Sequence, residues 1–176
     1  MRYTAIHDFD TNDNAMGEAG FTPAGVGMSA TETIYNGRAA LAADPYVTKQ
    51  ESREDAIESV ILPGGAPARQ GAKLLGDIIE QKARAKLPGV AFIDSKEIWW
   101  YLETGSGHQW LAVRLPADSA IISFPPIRTF TTTIRMITRE LYGVTSTLVK
   151  CFAKKQGLYD PARGEFADLH RFHSAG

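Results

Sequence analysis

The alternation of apolar and polar residues is sharpest at 25–35, GVGMSATETIY. At strand spacing Val26, Met28, Ala30, Glu32 and Ile34 fall on one side, and Ser29, Thr31, Thr33 and Tyr35 on the other. A strand with one core side and one hydroxyl-rich side, able to border a cleft, is predicted. RYTAIHDF (2–9) alternates well enough for an earlier strand, and DTNDNAMGEAG (10–20) reads as loop. The period then changes to 3.6. SREDAIESVIL predicts a helix over 53–61, with Ser52 three residues before Asp55 in a capping-box-like start and Ile57, Val60 and Ile61 on one face. Pro63-Gly64-Gly65 stops it. A second helix over 67–82 starts with Pro67 in its first turn and carries the stripe Ala68, Ala72, Leu75, Ile78 and Ile79. After Pro88-Gly89 the period returns to two. Strands are predicted over 90–94, 98–104 and 109–115, with DSK and TGSG as turns and SAIISF as one more candidate.

Between 123 and 147 no clean period survives, and Pro125-Pro126 breaks any strand there. Order returns in STLVKCFAKKQG. Ser146 suits a cap, Leu148 and Phe152 share a face, Lys154 and Lys155 suit the last turn, and Gly157 suits the helix end. No internal repeat or low-complexity linker divides the chain, so one α+β domain is expected over residues 1–176.

Composition narrows the function classes. The chain has 176 residues, 44% hydrophobic and 22% charged, as expected for a globular protein able to bury a core. A net charge of -1 provides no basic footprint, so neither nucleic acid nor an anionic membrane is expected as a partner. No apolar run approaches the roughly 20 residues of a membrane span, and the first residues lack the apolar core of a signal peptide. The single cysteine, Cys151, excludes an internal disulfide and a cysteine-based zinc site, and a cytoplasmic location is expected.

The densest chemistry is ETGSGHQW (103–110). Across its turn Glu103 could orient His108, with Ser106 nearby. However, Ser106 lacks the G-x-S-x-G elbow, and a strand-turn-strand setting is wrong for an α/β-hydrolase, so a structural or substrate-lining hairpin is the preferred reading. On strand spacing His108, Trp110, Ala112 and Arg114 point one way, and Gln109, Leu111, Val113 and Leu115 the other. Asp168, His170 and His173 have metal-compatible spacing near the C-terminus, where a solvated helix end is preferred; no metal or other cofactor is expected. Lys150 and Lys154 near Cys151 could depress its pKa, but a packing or surface thiol is preferred. The glycine-rich GEAGF and LPGGAP match no phosphate-binding loop and read as turns.

The order of GEAGF, GVGMSATETIY, ALAADPYV, SVILPGGAPARQGAKLLGDIIE, GVAFIDSKEIWWYLETGSGHQWLAVRLP and AKKQGLYDP resembles the interior of the bacterial dipeptidase family of cysteine-type N-terminal-nucleophile (Ntn) hydrolases. The resemblance covers most of 1–122 and resumes near 146. It implies a four-layer αββα sandwich of two antiparallel sheets, and hydrolysis of dipeptides by an N-terminal cysteine whose own α-amine is the base. Under it Thr22, Thr31, Thr33, Glu103 and His108 are substrate-lining candidates, while the catalytic nucleophile is unassigned.

The departures set further expectations. Met1 is not cysteine, and Thr22 followed by Pro23 stands where the family usually carries Asn, an oxyanion-donor candidate. EIWWYLET is one residue longer than the usual form, as a bulge or a sequence error would produce. The text at 123–147 diverges from the family, as a local frameshift and its correction would produce, with divergent evolution as the alternative. The isolated chain is therefore expected to be an inactive fragment that lacks the nucleophile strand and self-associates through an unpaired edge and apolar surface, with a dipeptide or other peptide as its ligand. The alternative is a non-catalytic peptide-binding or interaction subunit derived from the same fold.

Overall fold

The computed structural model describes residues 2–7, 17–31, 38–47, 57–82, 89–104, 106–115, 143–145, 149–157 and 162. Its strands are β1 (Thr4–His7), β2 (Gly17–Phe21), β3 (Gly27–Thr31), β4 (Gly89–Ile93), β5 (Ile98–Thr104), β6 (Trp110–Val113) and β7 (Gly143–Thr145). All six pairings are antiparallel and follow chain order, so the seven strands form one meander. Its helices are α1 (Arg38–Ala43), α2 (Ile57–Ile61), α3 (Ala68–Lys82) and α4 (Val149–Lys155), and a 3-10 turn at Leu62–Gly64 links α2 to α3. The chain is α+β with an antiparallel sheet, as its two periodicities predict.

The core lies between one face of the sheet and α2 and α3. Met28, Val90, Phe92, Trp99, Trp110 and Ala112 from the sheet meet Ile57, Ile61, Leu62, Ala68, Ala72, Leu75 and Ile79. Each large side chain buried this way contributes roughly 1.5–3 kcal/mol. Four of the five stripe residues predicted for α3 are fully buried, and Ile78 is partly so. The helix comes close to the sheet because Gly76 has no side chain: a Cβ there would lie 2.3 Å from the Trp110 ring. The face of α2 differs from the prediction. Val60 is exposed, and Glu58 is buried with Ile57 and Ile61.

Two segments depart from the sequence reading. GEAGF is not a turn but strand β2, paired on both sides. Its two glycines give weak strand propensity, but Gly20 leaves the space Leu62 fills, since a Cβ there would sit 2.6 Å from Leu62 Cδ1. The short helix α1 precedes the two predicted ones; RAALAA has no large apolar residue other than Leu41 to mark a face. Within the aperiodic stretch, Gly143–Thr145 is a strand because β6 supplies a partner ladder.

The extra residue in EIWWYLET is a bulge. Val90 pairs with Leu102 while Ala91 pairs with Trp100, so the register shifts around Tyr101. The other face of the sheet is partly bare. Phe21, Gly27, Ile93 and Ile98 are successive cross-strand neighbours there, and Phe21, Ile93 and Ile98 are exposed. At β6 the picture changes: Trp110 and Ala112 are in the core, and the alternate residue Leu111 is buried too. Residues 32–35, the predicted caps Ser52 and Ser146, the candidate strand 119–124, Leu148 and the Asp168, His170, His173 cluster lie outside the described residues.

Candidate functional site

The β5–β6 hairpin is held by a residue far away in sequence. Asp44 follows α1, and its carboxylate takes three hydrogen bonds from the loop at 106–108. The Ser106 hydroxyl donates to Oδ2 at 2.5 Å, the His108 backbone N–H to the same oxygen at 2.7 Å, and His108 Nδ1 lies 2.7 Å from Oδ1. The Asp44 carbonyl also accepts the Gly107 N–H at 3.0 Å. Gly107 is needed for this approach, because a Cβ there would lie 2.3 Å from the Pro45 carbonyl oxygen. The carboxylate only accepts, so Nδ1 donates to it, and in the neutral form of the ring Nε2 is the acceptor nitrogen.

The partner of His108 is therefore not the one the hairpin alone suggested. Glu103 lies opposite Leu111 in the ladder, and the carboxylate at His108 belongs to Asp44. Nor do Ser106 and His108 form the series of a serine hydrolase. Both bind the same carboxylate, and Ser106 is 0% exposed, so its hydroxyl is closed to substrate. His108 is different, since its side chain is 40% exposed.

The candidates are split between the two ends of the sheet. Thr22 sits in the β2–β3 hairpin, where its N–H donates to the Val26 carbonyl at 2.8 Å and its Oγ1 accepts the Val26 N–H at 3.2 Å. Its carbonyl accepts the Gly25 N–H at 2.9 Å, with Gly25 in the left-handed region at φ 77. Thr22 is buried and its backbone N–H is engaged, so its visible work is to close a turn. Thr31 ends β3 at the opposite end, opposite Gly89, and Glu103 and His108 lie toward that end. The length of β5 puts the two ends roughly 20 Å apart. Thr33 lies outside the described residues.

The Thr22 end has a clasp of its own. Asp94 Oδ1 accepts the N–H groups of Lys96 at 2.7 Å and Glu97 at 2.9 Å, and Oδ2 accepts the Ala68 N–H at 2.9 Å, which caps α3. Burial alone would raise its pKa, but these donors and the Lys96 charge outweigh it and hold the carboxyl below its ordinary value. Nearby, Arg69 stacks 5.5 Å above the Trp99 ring, and Trp99 Nε1 donates to Glu97. Cys151 is an exposed thiol on α4, a helix ended by Gly157 at φ 67. Among the described residues no group of three or more acidic, histidine or cysteine side chains is placed to hold a metal, and no helix is long and apolar enough to cross a membrane.

Sequence reasoning missed Asp44. The signal was its place in ALAADPYV, a block used only as part of an ordered match; its partners lie 62 and 64 residues away.

Comparison with known proteins adds what this geometry alone does not supply. The chain is 72% identical to a probable dipeptidase of Salmonella dublin over 177 positions, covering 99% of this chain and 39% of that protein. It is 39% identical over 136 residues to a dipeptidase of Bifidobacterium longum (strain NCC 2705), covering 71% of this chain and 25% of that protein. It is 42% identical over 121 residues to a probable dipeptidase A of Streptococcus pyogenes serotype M3, covering 69% of this chain and 26% of that protein. The chain thus spans about two fifths of the first relative and about a quarter of the other two. The profile of peptidase family C69 matches residues 1–175, and the chain belongs to that family.

Proposed function

We propose that this chain is part of a dipeptide hydrolase of the cysteine-type N-terminal-nucleophile class. The observation that carries the reading is the family match over residues 1–175, joined by 72% identity to a probable dipeptidase along nearly the whole chain. In this reading the described sheet and its helices form two layers of an αββα sandwich. The exposed row Phe21, Ile93 and Ile98 supports it, because a second sheet packed on that face would cover these side chains.

Peptide hydrolysis of this kind needs a thiol and a free α-amine on one residue, the amine taking the thiol proton. Cys151 does not meet that need: it is the sole cysteine, and its nitrogen is a backbone amide within α4. Residues 1–176 alone are accordingly proposed to hydrolyse no dipeptide, with Thr31, Glu103 and His108 bordering the substrate and Thr22 bracing a turn behind it. The proposed ligand is a dipeptide, and the proposed location is the cytoplasm.

The test is a chimera in which residues 1–176 replace the matching segment of the Salmonella dublin protein. The parent, the chimera and the isolated chain are assayed on a panel of dipeptides. Turnover by the parent and chimera, with none by the isolated chain beyond its Cys151→Ala variant, is expected. A folded chimera without turnover beside an active parent would overturn the reading.

A further inference from the structure

The Asp44–His108 pair lies outside the chemistry proposed above, which needs no histidine. Its geometry is nevertheless that of a prepared site. The carboxylate fixes the ring through Nδ1, and the backbone N–H of the same residue donates to the other carboxylate oxygen. Side chain and main chain of His108 are therefore held by one group. Ser106, fully buried, fixes that group in turn. Nε2 has no partner among the described residues, and the side chain is 40% exposed.

Charge completes the argument. Among the described residues no lysine or arginine pairs with Asp44; its one ion-pair partner is His108. With a neutral ring the pair is net negative, and its one open polar atom is a hydrogen-bond acceptor. The complementary ligand is a cation that carries N–H donors.

We propose that His108 Nε2, locked in place by Asp44, binds a primary ammonium group, here the amino terminus of a short peptide. Asp44 is the positioning residue and His108 the contact. The choice of a peptide rests on the dipeptidase reading; the ammonium site does not. No bond is made or broken: the ammonium donates one N–H to Nε2 and keeps its proton. Glu103 was expected to give His108 its orientation, and Asp44 now takes that role.

The experiment is nitrogen-detected NMR of the histidine-labelled chain, at a pH where the ring is neutral. The free chain should show His108 protonated at Nδ1 and bare at Nε2. Ethylammonium should then move the Nε2 resonance. Tetramethylammonium, which has charge but no N–H donor, and N-ethylacetamide, which has a donor but no charge, should leave it in place. Asp44→Asn should mix the two tautomers and weaken ethylammonium binding about tenfold, the loss expected for one hydrogen bond to a charged group. Ser106→Ala removes one of the donors that fix the Asp44 carboxylate and should weaken ethylammonium binding by less than Asp44→Asn while keeping the Nδ1–H tautomer. Where Asp44→Asn does not fold, unchanged ethylammonium binding in Ser106→Ala would count against the proposal. A ring protonated at Nε2, no response to ethylammonium, or equal responses to all three probes would overturn the proposal. Ethylammonium binding is read without any hydrolysis, so an inactive chimera would leave this result standing.

Discussion

Asp44 and Asp94 each collect three hydrogen bonds, at opposite ends of the same sheet, with different consequences. Asp94 takes only backbone N–H groups, two of them from the turn that it starts and one from the first residue of α3. Asp44 takes a buried hydroxyl, a backbone N–H and an imidazole, all from a hairpin more than 60 residues away. The first arrangement fixes a turn and caps a helix, and nothing is left over. The second also fixes a turn, but it leaves one nitrogen of a titratable ring open to solvent. Equal hydrogen-bond counts therefore do not mean equal roles. What matters is whether the donors are main-chain groups with one possible state, or a side chain with a second functional atom.

The largest expected effect separates the two residues by stability. Asp44→Ala leaves the Ser106 hydroxyl buried without its acceptor and frees the hairpin, at a cost of roughly 3 kcal/mol. Asp94→Ala removes a helix cap and turn contacts that water can partly replace, at about 1–2 kcal/mol. Urea melts of both variants check the order. A larger loss for Asp94→Ala would mean that the turn at 94–97, not the hairpin, holds the sheet together.

The sequence showed one side of this comparison well and the other hardly at all. DSK was legible as a turn because an aspartate bonding its own neighbours is a local event, and the strands around it alternate cleanly. The Asp44 contact depends on α1, which RAALAA scarcely announces, and on a loop that only the folded sheet brings near. Val60 and Glu58 show the same limit. On a helix as short as α2, one step of rotation decides which of them is buried, and β2 opposite had been read as a loop. Strands β4, β5 and β6 were predicted to within a residue or two because their pattern and their turns agree. Which candidates share an end of the sheet became readable only from the register. Family membership was legible in the order of whole blocks rather than in any one motif.

A smaller effect appears on acidification. The Asp94 carboxyl is held below its ordinary value of 3.8 in the folded chain, with backbone donors outweighing the opposing effect of burial. Its contribution to stability is therefore complete above the unfolded value and is lost as the pH falls through the lower folded one. Asp94→Asn should flatten that part of the stability-against-pH curve, measured by melts across the acid range. An unchanged slope would show that other carboxylates set it.

The smallest effect calibrates the comparison. Lys73 and Asp77 form an i,i+4 pair at 2.7 Å, as short as the Asp44–His108 contact, but both side chains are well exposed. Lys73→Ala should cost only ~0.3–0.5 kcal/mol. A loss near that of Asp44→Ala would show that distance, not burial and donor set, governs these contacts.

The meander has a consequence for how the chain reaches this state. Four of its six strand pairings cross short connections, each with a small entropy of closure, while β6 and β7 are joined by a longer one. The pairing of β3 with β4 is the longest, since α1, α2 and α3 lie between them. That one pairing raises the contact order and waits on the helices whose apolar faces it covers. Folding should thus proceed as two local halves, β1–β3 and β4–β6, that meet along a single seam, with the docking of α3 against Phe92 and Trp110 setting the pace.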